Sequence, residues 1–298
     1  MGYGQMTVAV VTDSTADLPS EFMTAHRVTM VPLTVEFGGR TFSDRVDLAA
    51  EDFLRTLPSL RELPKTAAPA PGLFQIAYEE AFKQGAEAVI SVHLAGGLSA
   101  TVRAAQIAAT MVEKPVAVID GESASLGTGL LVWWATVRAA MGIPLETLAQ
   151  ELSTLKARLF ALTAPITLEY LARGGRIGQA ARLLGTILDM KPILLLEHGS
   201  FRPERTVRGE RQIKHAMLSS LAQRVPSGSV LLAALGHSGQ AHDHDDLIEA
   251  VNARYHVLGW LTGIIGPAIS SHVGPGAFGL IVLPVSEEMA DLVKGAMT

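Results

Sequence analysis

Residues 88–112 place a strand, a glycine loop and a helix in direct succession: AVISV, then HLAGGLSA, then TVRAAQIAATMV. Ala88–Val92 is a short apolar run rich in β-branched residues, which is typical of a strand covered on both faces. Gly96 and Gly97 allow close approach of a ligand to the backbone. Ser99 lies where the helix is predicted to begin. In open α/β sheets, ligands collect at this edge, where strands end and helix N-termini supply unpaired N–H groups.

The same alternation of apolar runs and helical patterns continues along most of the chain. It predicts an α/β protein with mostly parallel sheets covered by helices. A glycine turn at Phe37–Arg40 predicts a small antiparallel hairpin. The predicted strands are Thr7–Thr12, Val28–Val35, Ala88–Val92, Val116–Ile119, Leu159–Thr163, Ile193–Leu196, Val230–Leu235 and Phe278–Leu283. The predicted helices are Thr101–Val112, Leu126–Met141, Leu145–Arg158, Arg211–Arg224 and Asp243–Arg254.

A change of pattern near Leu159–Ile166 predicts two α/β domains, residues 1–160 and residues 161–298. Each part is long enough to bury a core of its own. The cleft between two such domains is the usual place for a ligand, so we expect one to be buried there.

Composition excludes several classes of function. The net charge is −5, and the basic residues are scattered, which disfavours a nucleic-acid partner. The apolar runs at 126–141 and 183–196 contain charged residues and fall short of the ~20 residues needed to span a bilayer, so no integral membrane segment is predicted. No signal-peptide pattern is visible and the chain has no cysteine, which favours a cytoplasmic location. Hydrophobic residues make up 48%, enough for a filled core or a lined apolar cavity.

Several loops allow alternative chemistry. No lysine follows the glycines at 96 and 97, so a hydroxyl and N–H cradle there suits a carboxylate better than a nucleotide, which leaves a nucleotide-binding regulator as a minor alternative. Gly236–Gln240 matches half of a nucleophile elbow, so a serine hydrolase using Ser99 or Ser238 is the main alternative. The segment HDHDD at 242–246 contains side chains of the types that bind metal ions. Acidic residues are also favoured in the first turn of a helix, and this is the simpler interpretation. We therefore predict no metal, no cofactor and no catalytic residue.

Six short segments follow one another along the chain: VTDSTADL at 11–18, KT at 65–66 ahead of Pro69, LSAT at 98–101, LARGGR at 171–176, VRG at 207–209 and HVGPG at 272–276. In this order and spacing they resemble the DegV family of bacterial fatty-acid-binding proteins, across about residues 7–285.

The resemblance implies a lipid-binding carrier without its own catalytic activity, holding a long-chain fatty acid between two α/β domains. It implies that Thr66, Ser99 and His272 bind the fatty-acid carboxylate. The backbone of Gly96 and Gly97 is expected at the same site. Two hydroxyls and an imidazole form a coherent set of donors for a carboxylate.

The resemblance also implies a partner, an ATP-binding fatty acid kinase subunit that converts the bound carboxylate to acyl phosphate for phospholipid metabolism. Arg176 and Arg208 occupy positions that the family associates with this partner. Both belong to glycine-flanked turns, so we expect them to be exposed.

The chain departs from the family pattern around the carboxylate site. Ala67 and Ala68 stand where the family has Ser and Gln, and Ala95 and Gly96 stand where it has two serines. Ala100 replaces the glycine of the Leu-Ser-Gly-Thr segment. These changes predict a polar head with fewer hydroxyls than is usual.

Overall fold

The computed structural model describes residues 7–185, 190–209, 211–239 and 244–293. The strands are β1 (Val8–Asp13), β2 (Thr29–Val31), β3 (Thr34–Phe37), β4 (Arg40–Ser43), β5 (Lys65–Ala67), β6 (Ala88–His93), β7 (Val116–Asp120), β8 (Phe160–Ala164), β9 (Met190–Glu197), β10 (Ser200–Arg208), β11 (Val230–His237), β12 (His256–Ile264) and β13 (Phe278–Val285). The α-helices are α1 (Ser20–Ala25), α2 (Ala50–Thr56), α3 (Pro71–Lys83), α4 (Thr101–Ala109), α5 (Leu126–Ala140), α6 (Leu145–Leu155), α7 (Glu169–Arg173), α8 (Arg211–Arg224), α9 (Asp245–Asn252), α10 (Pro267–Val273) and α11 (Glu287–Val293).

The first sheet has the order β2-β1-β6-β7, and its strands are all parallel, as predicted. Side chains alternate between its faces, as the period of a strand requires. Val11 and Val89 belong to the core under α3 and α4, whereas Val10 and Ile90 belong to the core that contains α5 and α6. Because both faces are covered, the strands are apolar throughout.

The second sheet has the order β10-β9-β8-β13-β11-β12. Only β11 and β12 pair in parallel; the four other pairings are antiparallel. The predicted α/β class is confirmed, but the expectation of mostly parallel strands is wrong for this sheet, which is mixed. One reason is the two-residue turn at His198 and Gly199, both with positive φ, which joins β9 to β10 and forces them to be antiparallel.

A third, small sheet has the order β4-β3-β5 and contains the predicted hairpin at Gly38 and Gly39. The single strand predicted over Val28–Val35 is wrong. The strand is interrupted at Pro32, which has no N–H to donate to a neighbouring strand. As a result, β2 joins the first sheet and β3 joins the third. This small sheet positions Thr66, which lies on β5 opposite Val35.

Helix α5 is the most apolar of the long helices and lies in the middle of the molecule. It lies between the first sheet and strands β11 to β13 of the second, and its residues from Leu126 to Arg138 are buried. A helix that is apolar all round is stable only when it is covered on all sides. Its one charged residue, Arg138, is paired with Glu151 at 2.6 Å. Within the described ranges, no helix combines the length and the apolar character needed to cross a bilayer.

The two large sheets therefore share one core through α5. Strand β8, the first strand of the second sheet, begins at Phe160. The division of the chain between residues 160 and 161 stays a prediction.

Candidate functional site

A cavity of about 160 Å³ lies where the small sheet, the loop after β6 and helix α10 meet. Its polar side chains come from distant parts of the chain: Thr15, Thr66, Ser99, Arg176 and His272. The remaining wall is apolar and is formed by Leu33, Ala68, Leu94, Leu98, Ala100, Ala124, Leu171, Phe201, Ala268, Ile269 and Val273. The cavity thus has a small polar portion within an aliphatic surround.

A smaller apolar recess of about 50 Å³ lies next to this cavity, on the side of the second sheet. Ala124, Phe201, Ile269 and Val273 line both spaces. The other residues around the recess come from the start of α5, from strands β8, β9 and β13 and from the loop before α10: Ser125, Ala161, Leu162, Thr163, Leu196, Ile265, Gly279 and Ile281. The cavity and the recess therefore share an apolar wall.

At the polar end, Thr66 and His272 are in direct contact. Thr66 Oγ1 lies 2.8 Å from His272 Nε2, although the two residues are 206 positions apart in sequence. Thr66 comes from the third sheet, and His272 comes from α10. The contact therefore joins the two parts of the chain across the cavity.

Burial keeps His272 neutral. Burial, with a smaller contribution from the charge of Arg176, lowers the pKa of His272 to about 4. Its Nδ1 is buried and has no hydrogen-bond partner among the described residues. This edge of the ring packs on Gly174, where a Cβ would lie only 2.5 Å from Nδ1.

These surroundings assign the imidazole proton. A buried donor without a partner is rarer than a buried acceptor without one, so we place the proton on Nε2 and leave Nδ1 bare. Nε2–H then donates to Thr66 Oγ1, and the Thr66 hydroxyl keeps its own proton for a further acceptor. An acceptor in the cavity, such as a carboxylate oxygen, fits this arrangement.

Ser99 lies in the wall of the same cavity, just before α4. Its Oγ lies 2.8 Å from Thr101 Oγ1 and 3.3 Å from the Thr101 backbone nitrogen, which donates to it. When Thr101 also donates its hydroxyl, Ser99 is free to donate into the cavity. The structure therefore brings together Thr66, Ser99 and His272, the three side chains predicted to share a site.

Arg176 is not the exposed residue that its glycine turn suggested. It is half-buried and lines the cavity, and its guanidinium donates to the carbonyl oxygens of Leu98 at 3.1 Å and Gly174 at 2.7 Å. These bonds tie the loop before Ser99 to the turn that supports His272. A fixed positive charge at the polar end also favours an anionic ligand.

The paired glycines do not reach the cavity. The Gly96 N–H donates to both carboxylate oxygens of Asp120 at 3.2 Å. Gly97 packs against the turn at Gly199, whose carbonyl oxygen would lie 2.8 Å from a Cβ at position 97. The space that a side chain would take at these two glycines is filled by Asp120 and Gly199 of the protein itself. We therefore leave both glycines out of the proposed ligand site.

The other predicted residues lie elsewhere. Arg208 is exposed at the end of β10 and does not line the cavity. Ser238 is buried and bonded to the backbone of the corner after α10, with its hydroxyl 2.5 Å from the Gly274 carbonyl oxygen. In the HDHDD segment at 242–246, His242 and Asp243 lie outside the described residues. Across the described residues no group of three or more His, Asp or Glu side chains is placed to hold a metal ion.

Thr15 is a cavity residue to which sequence reasoning gave no role. Its backbone N–H donates to Asp13 at 3.0 Å, and its hydroxyl donates to the same carboxylate. Asp13 in turn contacts His93 Nδ1 at 2.9 Å, and both are fully buried. The available signal was the run Asp-Ser-Thr after a buried strand, which is also an ordinary capping pattern.

Comparison with known proteins identifies the family. The family model described as uncharacterised protein, DegV family, matches residues 7–285 of this chain. The chain belongs to the DegV family. A DegV domain-containing protein of Deinococcus radiodurans is 34% identical over 288 residues, covering 94% of this chain and 100% of its own.

Solved structures of DegV proteins have the same fold. A DegV family protein from Thermus thermophilus, described as fatty acid binding, has a TM-score of 0.89 at 33% identity and covers 94% of this chain and 100% of its own. DegV of Bacillus subtilis, described as a fatty acid binding protein, has a TM-score of 0.85 at 31% identity with the same coverage. The α/β fold of this chain is thus shared with these two DegV proteins.

Proposed function

We propose that this DegV protein binds one long-chain fatty acid and presents its carboxylate to a separate ATP-binding kinase subunit. The observation that carries the proposal is the position of Thr66, Ser99 and His272 together in the wall of a mostly apolar cavity, which shares an apolar wall with the recess. The fatty-acid binding described for the Thermus thermophilus and Bacillus subtilis proteins supports it.

In this proposal the two ends of the ligand have different tasks. The tail lies among the aliphatic side chains, and each buried methylene contributes ~0.8 kcal/mol to affinity. The hydroxyls of Thr66 and Ser99 donate to the carboxylate, whose charge is balanced by Arg176. A charge taken out of water needs such partners, because an unpaired buried charge is costly.

The partner supplies the chemistry. A carboxylate oxygen attacks the γ-phosphorus of ATP held by the kinase, and the bond from that phosphorus to ADP breaks, giving acyl phosphate and ADP. The DegV protein orients the nucleophile but contributes no catalytic group. Exposed Arg208 is the residue we assign to contact with the kinase.

Binding is tested by calorimetric titration of the delipidated protein with palmitate. We expect about one site per chain, with affinity reduced by roughly tenfold or more in Thr66→Ala and Ser99→Ala, since a hydrogen bond to a charged group contributes about 1.5–3 kcal/mol. His272→Ala should weaken binding to a similar extent, because the Thr66 hydroxyl loses the donor that orients it. Thr154→Ala is a matched control, because its exposed hydroxyl donates to the Gln150 carbonyl of its own helix. Normal affinity in all three cavity variants would refute the assignment of the carboxylate site.

The kinase step is tested by acyl-phosphate formation with the reconstituted kinase subunit. Arg208→Ala should keep its fatty acid and lose acyl-phosphate formation, with a defect that grows with salt. Arg176→Ala should lose both, because this side chain lines the cavity. Arg55→Ala is the control, because Arg55 is exposed and does not line the cavity. A normal rate in Arg208→Ala would remove this residue from the partner contact.

The alternative of a serine hydrolase finds no support in the geometry. Neither Ser99 nor Ser238 makes a hydrogen bond to a histidine among the described residues, and a nucleophilic serine needs such a base. Turnover of a p-nitrophenyl ester that is abolished by Ser99→Ala or Ser238→Ala would restore this alternative.

A further inference from the structure

Helix α10 connects the polar end of the cavity to a second buried cluster. Four of its seven residues line the cavity: Ala268, Ile269, His272 and Val273. Its first turn faces two carboxylates from the first part of the chain, Asp17 and Asp44, which none of the functions proposed above uses.

Asp17 receives the N–H of the residue that precedes α10. Its Oδ1 accepts from Gly266 at 2.9 Å, and its Oδ2 accepts the Ser125 hydroxyl at 2.5 Å. Arg45 Nη1 lies 3.4 Å from Oδ1. A Cβ at position 266 would lie 2.7 Å from the same oxygen, so the approach requires glycine.

Asp44 receives the next available N–H. Its Oδ1 accepts from Ala268 at 3.2 Å, and its Oδ2 has no partner among the described residues. Asp44 is fully buried. Burial, together with the charge of Asp17, raises the pKa of Asp44 to about 7, and burial raises the pKa of Asp17 to about 6. Both carboxylates are therefore buried at a cost in free energy, because burial disfavours their charged form.

Helix α10 links the Asp17 and Asp44 cluster to the Thr66 and His272 contact over a short distance. Ala268 and His272 are four residues apart, about 6 Å along a helix at 1.5 Å per residue. A helix this short moves as a rigid unit, so a displacement of its first turn reaches His272. Thr66 belongs to the other part of the chain, and its 2.8 Å contact with His272 needs the two parts to be held in register.

We propose that Asp17 and Asp44 are positioning residues, which bind the first turn of α10 and thereby set the place of His272 beside Thr66. The proposal rests on the proposed function of the cavity as a carboxylate site. The carboxylates act through α10 and do not touch the ligand.

A double-mutant cycle tests it by palmitate affinity, using Asp44→Ala, His272→Ala and the double variant. We expect Asp44→Ala to weaken binding about tenfold in the natural background and by less than about twofold in the His272→Ala background. Asp44→Asn keeps an oxygen for the Ala268 N–H and should stay within about threefold of the natural protein. Tyr78→Phe, which removes a buried hydroxyl bond to Ser91 in another core, controls for general loss of stability.

A second readout does not depend on lipid. Hydrogen exchange at Gly266, Ala268 and Ser270 should accelerate at least tenfold in Asp44→Ala relative to Tyr78→Phe. Gly266→Ala, whose Cβ displaces Asp17, is the second variant if Asp44→Ala does not fold, and the same results are expected of it.

The outcomes separate the two proposals. Equal losses of affinity in both backgrounds, or unchanged affinity and unchanged exchange in Asp44→Ala and Gly266→Ala, would overturn the positioning role. If the natural protein binds no palmitate, the proposed function fails. Accelerated exchange at α10 would then still support the anchoring, and unchanged exchange would overturn it.

Discussion

Ser99 and Ser238 occur in similar sequence settings, but the structure uses them differently. Each follows a buried strand, in a loop that contains glycine. The Ser238 hydroxyl donates to Gly274 O at 2.5 Å and accepts from Ala277 N at 3.0 Å, so the backbone of a distant corner occupies it. Ser99 is bonded to its neighbour Thr101 and faces the cavity. A hydroxyl occupied by distant backbone is structural, whereas one paired locally remains able to bind a ligand.

The largest effect should come from breaking the structural member of the pair. Ser238→Ala leaves two buried backbone groups, Gly274 C=O and Ala277 N–H, without their partner. We expect a loss of about 3 kcal/mol in the free energy of unfolding, since each unsatisfied buried group costs about 1–3 kcal/mol. Denaturant unfolding measures this, with Ser227→Ala as the exposed-serine control. A loss no greater than the control's would show that Ser238 is not a structural residue.

Asp44 is an ionisable residue that, like Ser238, is hydrogen-bonded to the backbone of a distant segment of the protein. Its folded pKa of about 7 lies above its ordinary value of 3.8, so the folded state binds the proton more tightly than the unfolded state. Its contribution to stability is therefore present below pH 4 and is lost as the pH rises towards 7, at about 1.4 kcal/mol per pKa unit. Asp44→Asn should flatten the stability profile by about 2 kcal/mol between pH 5 and 7. An unchanged slope would show that Asp44 does not titrate there.

Local signals predicted the parts of the fold that depend on neighbouring residues. The strand at Ala88–Val92, the hairpin at Gly38 and Gly39 and the helix start near Ser99 all follow from short patterns. The contact of Thr66 with His272 was expected only from family resemblance, because no local pattern relates residues 206 positions apart. Arg176 was misplaced because a glycine turn with arginines is also the usual end of an exposed helix.

Two strands of the second sheet were missed for a related reason. β10, with the sequence SFRPERTVR, carries charged residues and lies at the sheet edge, where polar side chains are tolerated. β12 lies at the opposite edge and contains two glycines, which weaken a strand signal. Edge position is a property of the assembled sheet and is not visible in either segment alone.

Ser99→Ala tests the second serine of the pair, which faces the cavity. It should weaken palmitate binding by about 1.5 kcal/mol, roughly tenfold, and change the free energy of unfolding by much less than Ser238→Ala does. Titration and denaturant unfolding on the same preparation give both values. A large loss of stability with normal affinity would make Ser99 a second structural serine.

The smallest effect tests how closely His272 is held. In Gly174→Ala the new Cβ would meet His272 Nδ1 at 2.5 Å and must displace the ring from Thr66. We expect about fivefold weaker palmitate binding. Gly72→Ala is the matched control, because a Cβ there meets nothing within 4 Å. Equal affinities for the two variants would mean that the imidazole position is not critical.

The central claim is that the cavity and its recess hold a fatty acid, and quantitative mass spectrometry of the lipid extracted from the purified protein tests it most directly. The account predicts about one long-chain fatty acid per chain. It predicts a much smaller yield from Ala124→Trp, which places a large side chain in the wall shared by the cavity and the recess. An extract without fatty acid, together with no saturable uptake when palmitate is added, would contradict the account; so would an undiminished yield from a folded Ala124→Trp protein.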